Sequence, residues 1–102
     1  MNIINIIVVN DFLDVPELQK TDPTYKSVSD EDRAKIFPDM EVLVRRGENV
    51  RIRVDDISGE LIVGTVLTTS TWPQPFKQYD AVQFERKNVI DIYDIDRWGV
   101  LY

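Results

Sequence analysis

"MEVLVRRGENVRIRVDD", residues 40–56, decides the fold. Met40, Val42 and Val44 recur at a period of two, and Val50, Ile52 and Val54 alternate with Arg51, Arg53 and Asp55. Successive side chains of a strand point to opposite faces, so each run reads as a strand with one apolar face. "RGEN" between them is a hairpin turn in which Gly47 is free to take positive φ. Downstream the pattern repeats. "DISGEL" (56–61) holds a turn leading into "LIVGTVL" (61–67). Then come an aromatic loop, "AVQFER" (81–86), a turn at Lys87-Asn88 and "VIDIY" (89–93). Short strands at this spacing, joined by turn residues, predict a mostly β protein built as a small antiparallel barrel or sandwich.

Upstream the signals differ. "IINIIVV" (3–9) is dominated by β-branched residues and reads as a buried strand. "NDFLDVPELQKTDPTYK" (10–26) is rich in Asp and Pro and keeps no period, which predicts an irregular acidic surface segment with a turn at Asp22-Pro23. "SVSDEDRAKIF" (27–37) predicts one short helix with Ser29 as N-cap and Asp30, Glu31 and Asp32 at the positive end of its dipole; Pro38 ends it. At the C-terminus Trp98, Val100 and Tyr102 alternate like a last strand.

The run from Pro38 to Tyr93 resembles small bacterial proteins grouped as domain of unknown function 2314, which in turn resemble SH3-like β-barrels. Gly47-Glu48 matches the family's first turn, Val50 to Val54 its alternating strand and Gly64 its strand glycine. Trp72 to Phe76 match its proline-containing loop, and Val89 to Asp91 its ending. Arg51-Ile52 departs from an expected aromatic position, and Tyr79-Asp80 stands where a Gly-Asp turn is expected. The resemblance implies an SH3-like barrel. It brings no activity and no catalytic residues.

A chain of 102 residues fits one domain, with an N-terminal strand, acidic loop and helix in 1–39 and the barrel core in 40–102. There is no cysteine, so disulfides and thiolate metal sites are excluded, and no histidine, so the usual near-neutral general base is missing. There is no Gly-rich phosphate loop and no hydrolase motif, and no spacing singles out a carboxylate pair. Catalysis is not expected, nor a cofactor. Asp91, Asp94 and Asp96 in "DIYDID" lack the ligand number and glycine of a calcium loop, so no metal site is expected. No basic leader precedes the apolar start, and that run is far short of the roughly 20 residues that span a bilayer. The chain therefore reads as a full-length cytoplasmic product of a bacterium or phage.

Net charge is −6, which opposes general attraction to nucleic acid or anionic membranes. Residues 11–41 hold nine acids against four bases, whereas Arg45, Arg46, Arg51 and Arg53 cluster against Glu48 alone. "TSTWPQPFKQYD" (69–80) places Trp72, Phe76 and Tyr79 in a loop where Pro73 and Pro75 forbid regular structure. Two readings compete. Either the prolines stiffen an exposed aromatic platform that binds a protein partner, or Trp72 and Phe76 fold back to close one end of the barrel. Both hold if Trp72 plugs while Phe76 or Tyr79 stays outside.

Arg51 and Arg53, with Arg45 and Arg46 across the hairpin, form either a site for phosphate or partner carboxylate or a solvated face paired with Asp55, Glu60 or the acidic segment. The leading expectation is a non-catalytic protein-interaction module that uses Trp72, Phe76, Tyr79, Arg45, Arg51 and Arg53. The alternative is an inhibitor or immunity protein that blocks a nuclease through the acidic 11–41 segment, with Asp30, Glu31 and Asp32 at its face. A single-strand nucleic-acid binder using the arginines with Trp72 fits the basic-plus-aromatic recipe but runs against the overall acidity.

Overall fold

The computed structural model describes residues 5–68 and 71–93. The expected C-terminal strand with Trp98, Val100 and Tyr102, the carboxylates of Asp94 and Asp96, and residues 3 and 4 of the first strand lie outside them. In chain order the elements are strand β1 (Ile6–Val8), helix α1 (Val15–Thr21), helix α2 (Asp30–Ala34), β2 (Glu41–Arg46), β3 (Glu48–Ser58), β4 (Leu61–Val66), β5 (Ala81–Glu85), a 3₁₀ turn (Arg86–Asn88) and β6 (Asp91–Tyr93). The protein is mostly β. All six strands join one sheet in the order β1-β5-β4-β3-β2-β6.

The alternation read in this stretch holds from Met40 to Val44 and from Val50 to Val54. Val42, Val44, Val50, Ile52 and Val54 are at most 1% exposed. Val42 lies opposite Ile52, and Val44 opposite Val50. Ile62 and Val66 of β4, Val82 and Phe84 of β5 and Ile92 of β6 join the same cluster. Each such side chain contributes roughly 1.5–3 kcal/mol on burial. Phe12, Ile36, Met40 and Phe76, all from connecting segments, complete it. The core therefore draws on both the 1–39 and the 40–102 parts.

Four expectations are corrected. The sheet is mixed, not antiparallel, because β1 runs parallel to β5 with Ile6 opposite Ala81 and Val8 opposite Gln83. It is not closed into a barrel: closure needs β1 to pair with β6, and these form the two outer strands. β1 is also an edge strand rather than a buried one. With a neighbour on one side only, it leaves Ile6 46% and Val8 56% exposed. Last, the 10–26 segment is not wholly irregular, because it holds α1.

α1 forms through its caps. The Glu17 N–H donates to Asp14 Oδ1 at 2.9 Å, and the Asp14 N–H donates back to Glu17 Oε1 at 3.2 Å. This reciprocal box, with Pro16 in the first turn, satisfies donors that the helix start otherwise orphans. The turn expected at Asp22-Pro23 follows, closed by the Tyr25 N–H on the Asp22 carbonyl at 3.0 Å. In α2 the Asp32 N–H donates to Ser29 Oγ at 3.1 Å, as the N-cap reading expects. The helix stops at Ala34 rather than at Pro38, because the Lys35 N–H tightens onto the Asp32 carbonyl and Ile36 turns into the core.

Two buried polar side chains stitch these segments to the sheet. Arg33, 7% exposed, donates from Nε to the Val89 carbonyl at 2.7 Å, from Nη2 to Ser27 Oγ and from Nη1 to Asp30. Asn88 donates to the Phe12 carbonyl at 3.0 Å and accepts from the Glu85 N–H at 3.0 Å. Their partners lie 56 and 76 residues away in sequence.

β3 carries a bulge. Val54 pairs with Gly64 and Asp56 with Val63, so Asp55 is the extra residue and two consecutive aspartates face solvent. At this point β3 and β4 approach closely: a Cβ on Gly64 would meet Ile52 Cγ2 and fall 2.6 Å from the Arg53 carbonyl oxygen. Gly64→Ala is therefore expected to destabilise the protein by about 1–3 kcal/mol, as overpacking does. Urea denaturation checks it, and an unchanged midpoint would contradict the close approach.

Candidate functional site

The loop between β4 and β5 is fastened at three places. Phe76 drops into the core at 6% exposure, its ring centroid 5.9 Å from that of Phe12. At the β2–β3 turn, Arg46 Nη1 donates to the Pro73 carbonyl and to Gln74 Oε1, both at 3.0 Å, and Gln74 Nε2 donates back to the Arg46 carbonyl at 2.7 Å. On the other side of Gly47, Glu48 accepts from the Trp72 N–H at 3.2 Å and from Thr71 Oγ1 at 3.3 Å. At the far end Gln78 Nε2 donates to the Leu67 carbonyl at 3.0 Å and the Tyr79 N–H to the Val66 carbonyl at 2.7 Å.

Gly47 has two reasons to be glycine. Its φ is +78°, and a Cβ there would fall inside the Trp72 indole. The indole thus lies directly against the turn, and its backbone is held by Glu48. Trp72 nevertheless stays 53% exposed. This reverses the expected division of labour: Phe76 is the plug, and Trp72 is the outward aromatic. The reason is geometric, since the turn beneath Trp72 presents backbone at Gly47 rather than a cavity, whereas Phe76 faces the aromatic pair Phe12 and Phe84, themselves 5.6 Å apart.

Tyr79 is 71% exposed and has φ of 72°. That is the left-handed region, where a Cβ costs roughly 1–2 kcal/mol. The residue thus adopts the conformation of the glycine expected at a Gly-Asp turn. Asp80 supports the turn by accepting the Lys77 N–H at 2.8 Å.

The arginines are spoken for within the chain. Arg51 and Arg53 share the outward face of β3, as the alternation requires, opposite Leu43 and Glu41. Arg51 pairs with Glu41 at 3.5 Å and stacks over the Tyr93 ring, 4.5 Å from its centroid. Arg53 pairs with Asp55 at 3.4 Å, and Arg45 donates to Asn49 at 2.9 Å. Arg46, pointing the other way, grips Asp11 at 2.9 Å and the aromatic loop together. The solvated-face reading of the cluster matches these contacts, with Asp55 as one of its anticipated partners.

The acidic face is also internally paired. Asp30 bridges Arg33 at 2.8 Å and Glu31 bridges Lys35 at 3.6 Å, while Asp32 sits in the N-terminal turn of α2. The sequence reading missed the clamps Glu48 and Gln74. Glu48 is visible only as a turn residue, because its partners lie some 24 positions away. Among the described residues no three His, Cys, Asp or Glu side chains gather as a metal site, and no helix is long and apolar enough to cross a membrane.

The Arg46 guanidinium hydrogen-bonded to Asp11 lowers the Asp11 carboxyl below its ordinary value. A carboxylate depressed on folding adds stability above its unfolded pKa, and that stability is lost as pH falls through the folded pKa. Because Asp11 is solvent-exposed, the expected signature is spectroscopic. In carboxyl-carbon NMR titrations, Arg46→Gln should return Asp11 to the ordinary range; an unshifted Asp11 midpoint would contradict the contact. No protein-family model, curated protein sequence or solved structure matches the chain.

Proposed function

We propose that this chain is a non-catalytic interaction module, of SH3-like architecture, that binds a protein partner through the loop carrying Trp72 and Tyr79. The fold reading is supported by the strand order β6-β2-β3-β4-β5, by the 3₁₀ turn before β6 and by β6 returning beside the first strand of the meander. The resemblance of residues 38–93 to domain of unknown function 2314 points the same way. Three surface clefts lined by described residues measure ≈ 150, ≈ 200 and ≈ 230 Å³. Each is smaller than the ~300 Å³ at which small-molecule sites usually begin.

One observation carries the reading: Tyr79 is an exposed aromatic in a strained conformation that glycine would occupy without cost. Backbone strain at an exposed side chain with no packing role is a sign of use elsewhere. Trp72 adds a second aromatic surface whose position is fixed before binding, which lowers the ordering cost of association. The acidic inhibitor reading is weaker, because Asp11, Asp30 and Glu31 are already engaged by Arg46, Arg33 and Lys35.

Tyr79→Gly separates folding from binding. It should stabilise the protein by about 0.5–1 kcal/mol, the relieved strain less the added chain entropy. It should also weaken partner binding at least tenfold, as Trp72→Ala should. The measurement pairs thermal melts with affinities for partners captured from a bacterial lysate. Unchanged affinity in both variants sinks the loop reading. Binding that survives both but collapses in moderate salt favours the acidic segment instead.

A further inference from the structure

β1 is an edge without the usual protection. Val9 donates its N–H to the Gln83 carbonyl at 2.9 Å, which turns the polar groups of Val9, and by alternation those of Ile7, toward β5. The N–H and C=O groups of Ile6 and Val8 therefore point to the open side. Natural edge strands are blunted by Lys, Pro, a bulge or a covering segment. Residues 1–10 contain no charged residue and no proline, and among the described residues nothing pairs with the outer side of β1. The outward side chains Ile6 and Val8, with Leu61 at 43% exposure on β4, add an apolar face beside that edge.

Charge narrows what can meet it. The chain carries −6, so copies repel one another over most of their surface. Here the outward residues of β5 next to β1 are the neutral Ala81 and Gln83, and Glu85 is paired with Lys87 at 3.4 Å. This is a face on which two copies approach without like charges opposing.

We propose that β1 pairs antiparallel with β1 of a second copy of this chain about a two-fold axis at Ile7. In that register Ile6 lies opposite the partner's Val8, and each such pair exchanges both N–H···O=C bonds through the groups left open in the single chain. Ile6 and the partner's Val8 also pack side by side on the outward face. The contact is isologous, so it consumes both edges and stops at two. It rests on residues separate from those of the partner-binding loop.

The test is sedimentation of the intact chain over a hundredfold range of concentration, at low and moderate salt. A reversible monomer–dimer equilibrium is expected, tighter in salt because screening removes the net repulsion. Val8→Lys adds charge at an already exposed side chain, and Val8→Pro removes an N–H that the single chain does not use. Both variants should fold, checked by thermal melts, and should raise the dimer dissociation constant at least about tenfold. Trp72→Ala should leave it unchanged. A monomer at every concentration overturns the proposal, and leaves the edge to an extended segment of some other protein. So does growth beyond two copies, a dimer indifferent to both Val8 variants, or one abolished by Trp72→Ala.

Discussion

A sheet with one apolar face and, among the described residues, no second sheet to cover it must be closed by its own connections. That constraint governs this molecule. The inward valines and isoleucines of β2 and β3 are fully buried, yet much of what lies over them comes from segments between strands: Phe12 before α1, Ile36 after α2 and Phe76 in the β4–β5 loop. A small domain buries a modest share of its surface, so each of these anchors matters to stability. The connections are consequently fixed in position, which is why an irregular stretch such as 71–80 can hold a tryptophan at one orientation without regular secondary structure.

The strands were legible because their signal is local. Alternation at residues 40–44 and 50–54, the turn at Gly47 and the N-cap at Ser29 each depend on residues a few positions apart, and each stands in the structure as read. α1 was equally local but hidden: Asp14 and Glu17 form its box, while the surrounding aspartates and prolines disguised it. The Asp55-Asp56 pair breaks the alternation, and the bulge is its cause. What sequence could not supply was partner choice over distance. Whether Trp72 or Phe76 fills the core depends on where Phe12 lies, and the parallel pairing of β1 depends on which edge remains open after the meander forms.

Charge in this protein is used mostly to join segments. Arg46 ties the N-terminal segment and the aromatic loop to one hairpin, Arg33 binds α2 to the carbonyl before β6, and Arg86 donates to the carbonyls of Arg33 and Gly59. Two ion pairs, Arg46–Asp11 and Arg51–Glu41, set the basic hairpin against the acidic 11–41 segment. Exposed aromatic side chains at Phe37, Trp72 and Tyr79 share that surface.

The remote bonds of the N-terminal segment also order events during synthesis. β1 has β5 as its neighbour, and Phe12 is held by Asn88, so both must wait until the chain has emerged through Asn88. The β2–β3–β4 part of the meander closes through short hairpins and can assemble as it emerges, whereas parallel, distant pairing is intrinsically slow. β1 is thus among the last elements to dock, and its isoleucines and valines stay uncovered until β5 has been made. A nascent chain of this kind offers a hydrophobic, extended segment of the sort that chaperones hold.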